Sequence, residues 1–172
     1  MAIVRYCFLD WSGDLGFKFG RGSSPYLVFA LVYCADEEPI RKAFGAIKER
    51  LGLPRVASFH YVSTRQRARR IYFETIGDEA VAFEAIVLVV NKIKLSAEQR
   101  RTRQATLYAA FILNLFTLIE EPVDAARFWI EGDPRDPEIA IRTRVSLSQA
   151  NRRLKQVAYA ARRIWMACNW RI

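Results

Sequence analysis

Apolar positions along this chain fall into runs and stripes of two periods, and these predict its elements. Tyr6, Phe8 and Leu9 belong to an apolar run that ends on Asp10 and breaks at Ser12-Gly13-Asp14, the pattern of a strand followed by a tight reversal. Pro25 to Cys34 reads as the returning strand, and a mobile Gly-rich loop, Gly16 to Ser24, lies between the two. Asp36-Glu37-Glu38-Pro39 has the acids and the early Pro of a helix start. Ile40, Phe44, Ile47 and Leu51 then recur at helical spacing until Gly52 and Pro54 stop the helix. Val56 to Val62 is a short extended segment. Ser63-Thr64-Arg65-Gln66 is a capping box that opens a helix reaching to about Ile76.

Within Ala80 to Lys94, the run AIVLVVNKI is of the kind found in the middle of a sheet. Ser96-Ala97-Glu98-Gln99 forms a second capping box before a helix of roughly six turns, apolar almost all round from Ala105 to Leu118 and ending before Pro122. Ala126 to Glu131, ARFWIE, is a further strand that runs into the acidic turn 131–137. Ser146-Leu147-Ser148-Gln149 offers a third capping box. After it, Leu154, Val157, Ala161, Ile164, Trp165 and Cys168 form the stripe of a final basic, amphipathic helix. The elements alternate as in an α/β protein, and residues 1–172 read as one domain with a mixed sheet flanked by helices.

Composition narrows the picture. With 172 residues and 52% apolar content, the chain can bury one sizeable core. Ala105 to Ile119 is interrupted by Asn114 and Thr117 and flanked by Arg103 and Glu120, which suits a buried helix better than a membrane span. Asp10 and Asp14 interrupt the opening apolar stretch, so it lacks the form of a signal segment and a cytoplasmic location is expected by default. Cys7, Cys34 and Cys168 do not form a disulfide framework, and a single histidine, His60, excludes zinc sites built on several histidines.

The formal charge of +9 is unevenly placed. Residues 139–172 carry Arg142, Arg144, Arg152, Arg153, Lys155, Arg162, Arg163 and Arg171 without an acid, and the acid-free block 50–73 carries Arg55, Arg65, Arg67, Arg69 and Arg70. Arg100, Arg101 and Arg103 open the long helix. Two helices that begin with arginines could present them to one substrate. Such surfaces attract nucleic acid through phosphate contacts and counterion release; the alternative is an ordinary solvated face. The final helix, with Trp165 and Trp170 near its end, is a candidate surface for a second copy or another protein.

Chemistry concentrates at strand ends. Asp10 is either a metal ligand or catalytic acid fixed by its strand, or the shaper of an Asx-type turn together with Ser12. Glu131 and Asp133 are the second place where a strand delivers carboxylates, and they too read either as a site or as a solvent-exposed turn. Asp14 is a further oxygen donor nearby. His60 is either a proton carrier or a hydrogen-bonded residue at the core edge.

The order FLDWSGDLGF, a loop, and SSPYLVFALVYCADEE resembles the amino-terminal signature of the domain of unknown function 3800 family, in which an apolar strand ends in DESG and a second apolar strand follows. A later family segment carries Glu and often His before an Arg-bearing helix, and VASFHYVSTRQRARRIYF occupies its place. Asp10, Ser12, Gly13 and His60 match the pattern; Trp11 and Ser58 stand where the family places acids. The resemblance implies a ribonuclease H-like fold and relatives of magnesium-dependent nucleases. Asp10, Glu131 and Asp133 are then the ligand candidates. Arg65, Arg67, Arg69, Arg70, Arg100, Arg101, Arg103, Arg152 and Arg153 are the nucleic-acid contacts. With the acids depleted, the expectation is a nucleic-acid-binding relative. The alternatives are an active magnesium nuclease and a small structural or protein-interaction domain.

Overall fold

The structure, a computed structural model, describes residues 3–14, 16–54, 64–78, 82–121, 123, 125–131, 138–149 and 154–160; at 78, 131 and 154–160 it describes the backbone. Val56–Val62 with His60, Asp133 and the turn around it, Arg152 and Arg153, and the terminal Trp165, Cys168 and Trp170 lie outside the described residues.

One five-stranded sheet organises the chain, and the opening strand is at its centre. Strand β1 (Tyr6–Ser12) pairs antiparallel with β2 (Tyr26–Cys34), which pairs antiparallel with β3 (Glu84–Asn91). On its other side β1 pairs parallel with β4 (Ala126–Glu131), and β4 pairs parallel with β5 (Leu154–Ala160). The spatial order is β3-β2-β1-β4-β5. Because side chains alternate along a strand, the apolar run of β1 feeds two cores. Cys7 and Leu9 enter one, with Leu27, Phe29, Leu31, Phe128 and Ile130; Phe8 enters the other, with Val32 and Cys34.

Helices close both faces. The Phe8 face is covered by α1 (Glu38–Arg50), through Ile40, Phe44 and Ile47, and by α2 (Gln66–Asp78), through Tyr72 and Ile76. The first of these helices begins and ends where the sequence predicts, with Pro39 in its first turn. After β3 come a 3-10 turn, Lys92–Lys94, and a short helix, α3 (Ala97–Arg101). The Leu9 face is then covered by α4 (Gln104–Thr117), through Leu107, Phe111, Ile112 and Leu115, and by α5 (Glu138–Gln149), through Ala140 and Leu147. Among the described residues, no helix is long and apolar enough to cross a membrane.

Three expected elements are corrected. The run AIVLVVNKI forms β3, which lies at the edge of the sheet: Val87 and Val89 are 58% and 59% exposed, while Val90 on the other face is buried. Valine favours any pleated strand, so the run reports β-structure without reporting whether both faces are covered. The six-turn helix is two helices. Its capping box forms as read, with Ser96 Oγ accepting from the Gln99 N–H at 3.1 Å and Gln99 returning to the Ser96 N–H at 2.8 Å, but Thr102 and Arg103 are extended and turn the chain. Nothing in α3 is buried, so only α4 has a face to lay on the sheet.

The third correction falls at the end. Helix α5 runs up to Gln149, and 154–160, read from the sequence as part of a basic helix, is a strand whose Val157 pairs in register with Phe128. The open edge of β4 selects the strand conformation there, a tertiary demand that overrides an i,i+3 spacing. A helical docking surface for a second copy or another protein thus has no basis over 154–160.

Candidate functional site

The strand ends bring together two of the carboxylate positions singled out in the sequence. In the parallel ladder of β1 and β4, Leu9 stands beside Ile130, and the next step along both strands is Asp10 on β1 and Glu131 on β4. Neighbouring strands run about 4.8 Å apart, so these backbone positions are adjacent although the sequence separates them widely. They lie where a central strand has an antiparallel neighbour on one side and a parallel one on the other. Crevices outside the carboxyl ends of strands, at points where the sheet changes direction, are favoured ligand sites in α/β folds.

Asp10 itself is buried, 6% exposed, and belongs to the Phe8 face with Ala30 beside it on β2. The Trp11 N–H donates to its Oδ1 at 2.7 Å. Trp11 goes to the opposite face. Its ring lies 5.2 Å from that of Tyr108 and 6.4 Å from that of Phe29. Strand alternation sends positions 10 and 11 to different sides of the sheet, and Trp11 serves the core.

Asp14 fastens the turn that follows β1. Gly13 makes the reversal with φ of 98°, and a Cβ there would come 2.6 Å from the Tyr26 carbonyl oxygen. Asp14 then accepts the Gly16 N–H at 2.6 Å and the Ser24 N–H at 3.1 Å, closing both ends of the loop. These bonds make Asp14 a fastener of the loop.

A residue that the sequence did not reveal completes the fastening. Lys92, 0% exposed, donates from Nζ to the carbonyl oxygens of Asp14 and of Gly16, the latter at 2.9 Å, and stands 3.5 Å from Asp14 Oδ1. The rings of Phe17 and Phe19 lie with centroids 6.0 and 5.7 Å from Nζ. The loop over the strand ends, expected to be mobile, is therefore tied down from beneath. The one sequence signal was a lysine closing an apolar run, and Lys92 and Lys94 offer it equally.

Electrostatics give the first test. The Ser24 amide chiefly, helped by the Gly16 amide, Lys92 and the Ser23 hydroxyl, holds the Asp14 carboxyl below its ordinary range against the opposing effect of desolvation. A depressed folded pKa means that charged Asp14 stabilises the fold above the unfolded value of about 3.9, and that this contribution is lost as pH falls through the lower folded value. Wild type and Asp14→Asn are expected to differ in urea midpoint at neutral pH and to converge as pH falls through the lowered folded value of Asp14. A gap that persists unchanged into acid would show that the charge of Asp14 contributes nothing. Burial also pushes the Cys7 and Cys34 thiols up, Cys34 to about 12, so neither is a thiolate nucleophile at neutral pH.

Among the described residues, the candidate arginines fall into two sets. Arg69 Nε donates to the Thr64 carbonyl at 2.8 Å and Arg70 pairs with Glu74 at 2.6 Å, which relieves the conflict between these cations and the start of α2. Arg65 and Arg67 are exposed. Arg100 donates to the Ile93 carbonyl, Arg103 pairs with Glu138 at 3.0 Å, and Arg101 is exposed. The two sets lie on different layers, α2 over the Phe8 face and α3 leading into α4 over the Leu9 face. Only the second set is on a segment that directly follows the strand end next to the β1–β2 loop.

Among the described residues, no group of three or more His, Cys, Asp or Glu side chains is placed to hold a metal ion. A groove of about 560 Å3 between α4 and α5, lined by Thr106, Ala109, Ile141 and Val145, lies on the layer opposite Asp10. No protein-family model, curated protein or solved structure matches the chain.

Proposed function

We propose that this chain is a nucleic-acid-binding domain that uses the carboxyl ends of β1 and β4, in the manner of a ribonuclease H-like relative with a depleted acid set. The observation that carries the reading is the juxtaposition of positions 10 and 131 on adjacent parallel strands, at the centre of a mixed sheet flanked by helices. Two carboxylate-bearing positions at one strand end are the donor chemistry that magnesium takes, since it prefers oxygen ligands and keeps several waters. Asp10 and Glu131 are the residues that would hold the ion, with Asp133, outside the described residues, as the third candidate. Such an ion supplies charge neutralisation at a phosphodiester and a polarised water. The strand backbone of β1 and the Trp11 amide fix Asp10, and the exposed Arg101 offers a cation to the phosphate backbone from the same end of the sheet.

Titration calorimetry with magnesium and with manganese, in the presence and absence of a short single-stranded oligonucleotide, tests this. Metal binding is expected to strengthen when the oligonucleotide is present and to fall by at least about tenfold in Asp10→Asn, with smaller loss in Glu131→Gln. Cleavage of the oligonucleotide by the wild type but not by Asp10→Asn would make the chain an active nuclease. Oligonucleotide binding indifferent to metal and to Asp10 would remove the strand-end site from the reading. The absence of both kinds of binding would leave a structural or protein-interaction domain.

A further inference from the structure

We infer that the β1–β2 loop and the segment after β3 form one prebuilt cationic platform that holds the phosphate backbone of a nucleic-acid strand beside the ends of β1 and β4. The inference rests on the nucleic-acid reading above and assigns its backbone contacts to Lys18, Arg21 and Lys94, residues that sequence patterning did not bring together.

The two segments are distant in sequence and joined in space. The β2–β3 ladder ends with Tyr26 beside Asn91, and the Lys92 N–H donates to the Pro25 carbonyl at 2.9 Å. Lys92 Nζ then holds the carbonyls of Asp14 and Gly16, and the Arg100 guanidinium lies 5.9 Å from the Phe17 ring centroid while it also reaches the Ile93 carbonyl. Each segment is thereby fixed to the other and to the sheet.

What they present outward is almost wholly basic. Across 16–25 and 92–103 stand Lys18, Arg21, Lys92, Lys94, Arg100, Arg101 and Arg103 against the single acid Glu98. Lys92, Arg100 and Arg103 have structural partners, as described, whereas Lys18, Arg21, Lys94 and Arg101 are exposed. A turn closed by the Arg21 N–H on the Lys18 carbonyl at 3.0 Å presents the first two from one crest. At Gly20 and Gly22 nothing stands within 4 Å of where a Cβ would lie, so the crest is open to close approach by a ligand. Fixing the backbone that carries these cations in advance removes part of the ordering cost that flexible basic arms bear on binding. Arginine and lysine at the end of the sheet where positions 10 and 131 are neighbours would divide the labour expected for a phosphodiester: cations for its backbone, acids for a metal ion.

The test compares three proteins binding a short fluorescein-labelled single-stranded oligonucleotide over a salt series: the wild type, the triple variant Lys18→Gln/Arg21→Gln/Lys94→Gln, and the charge-matched control Arg5→Gln/Lys42→Gln/Arg144→Gln. All six positions are exposed, so all three proteins are expected to share one thermal midpoint. The platform variant is expected to lose more than about tenfold in affinity and to flatten the slope of log affinity against log salt by about 2, as the loss of three single-strand phosphate contacts requires. The control is expected to stay within about threefold of the wild type. Equal losses in the two variants would overturn the platform and leave nucleic-acid binding as a property of net charge. A wild type that binds no oligonucleotide would overturn the nucleic-acid reading and the platform with it.

Discussion

Lys92→Met is expected to lower stability by about 2–4 kcal/mol and to open the β1–β2 loop to protease. Methionine keeps most of the volume and the apolar stem, so the cost is polar. The carbonyls of Asp14 and Gly16 lose their common donor beneath a packed loop, and a buried acceptor left without one costs about 1–3 kcal/mol. Removing a charge that is itself wholly buried returns part of its desolvation cost, which keeps the total below a simple sum. Urea unfolding reads the global effect. Limited trypsin digestion reads the local one, since Lys18 and Arg21 stand on the exposed crest: cleavage there is expected to speed up about tenfold or more once the tie is gone. Unchanged stability together with unchanged cleavage would mean that Lys92 does not hold the loop.

Phe29→Ala is expected to cost about 3–5 kcal/mol, with no change in the urea m-value. Phe29 is fully buried on the Leu9 face, with the rings of Tyr108 and Phe111 at 5.5 and 5.6 Å and Trp11 beside them, so truncation empties the middle of an aromatic cluster. Val87→Ala, one strand away on the other face, is expected to cost under about 1 kcal/mol because its side chain is mostly in water already. The pair of measurements checks the assignment of faces. Comparable losses at the two positions would show that the Phe8 face is covered over β3 as well.

Local signals in the sequence carried the elements whose ends are written in local chemistry. Pro39 and the acids before it placed the start of α1, the Ser96 capping box placed the start of α3 but not its end, and the apolar run ending on Asp10 placed β1. The outcomes that depend on partners were less legible. Residues 154–160 have a spacing that suits a helix, and only the open edge of β4 makes them a strand. Helix α5 was hidden because Ile141 and Val145 are exposed while Thr143 is buried, which blurs its period. Of the site, the sequence identified Asp10 and Glu131 separately as strand-end carboxylates; their adjacency follows from a parallel pairing that no spacing encodes. Lys92 was illegible for a similar reason, since its burial depends on a loop that folds over it from the far side of the β1–β2 turn.

The parallel pairing of β1 with β4 also sets an order of assembly during synthesis. Strands β1, β2 and β3 form an antiparallel meander whose partners leave the ribosome one after another, whereas Tyr6 must wait for Arg127 and Leu9 for Ile130. Contacts of such long range are the slowest to close and the last to be rewarded. A nascent chain can therefore hold its opening meander long before positions 10 and 131 meet, and a translation product that stops short of β4 would carry Asp10 on an unfinished sheet. Positions 10 and 131 become neighbours only once β4 has been made and has paired with β1.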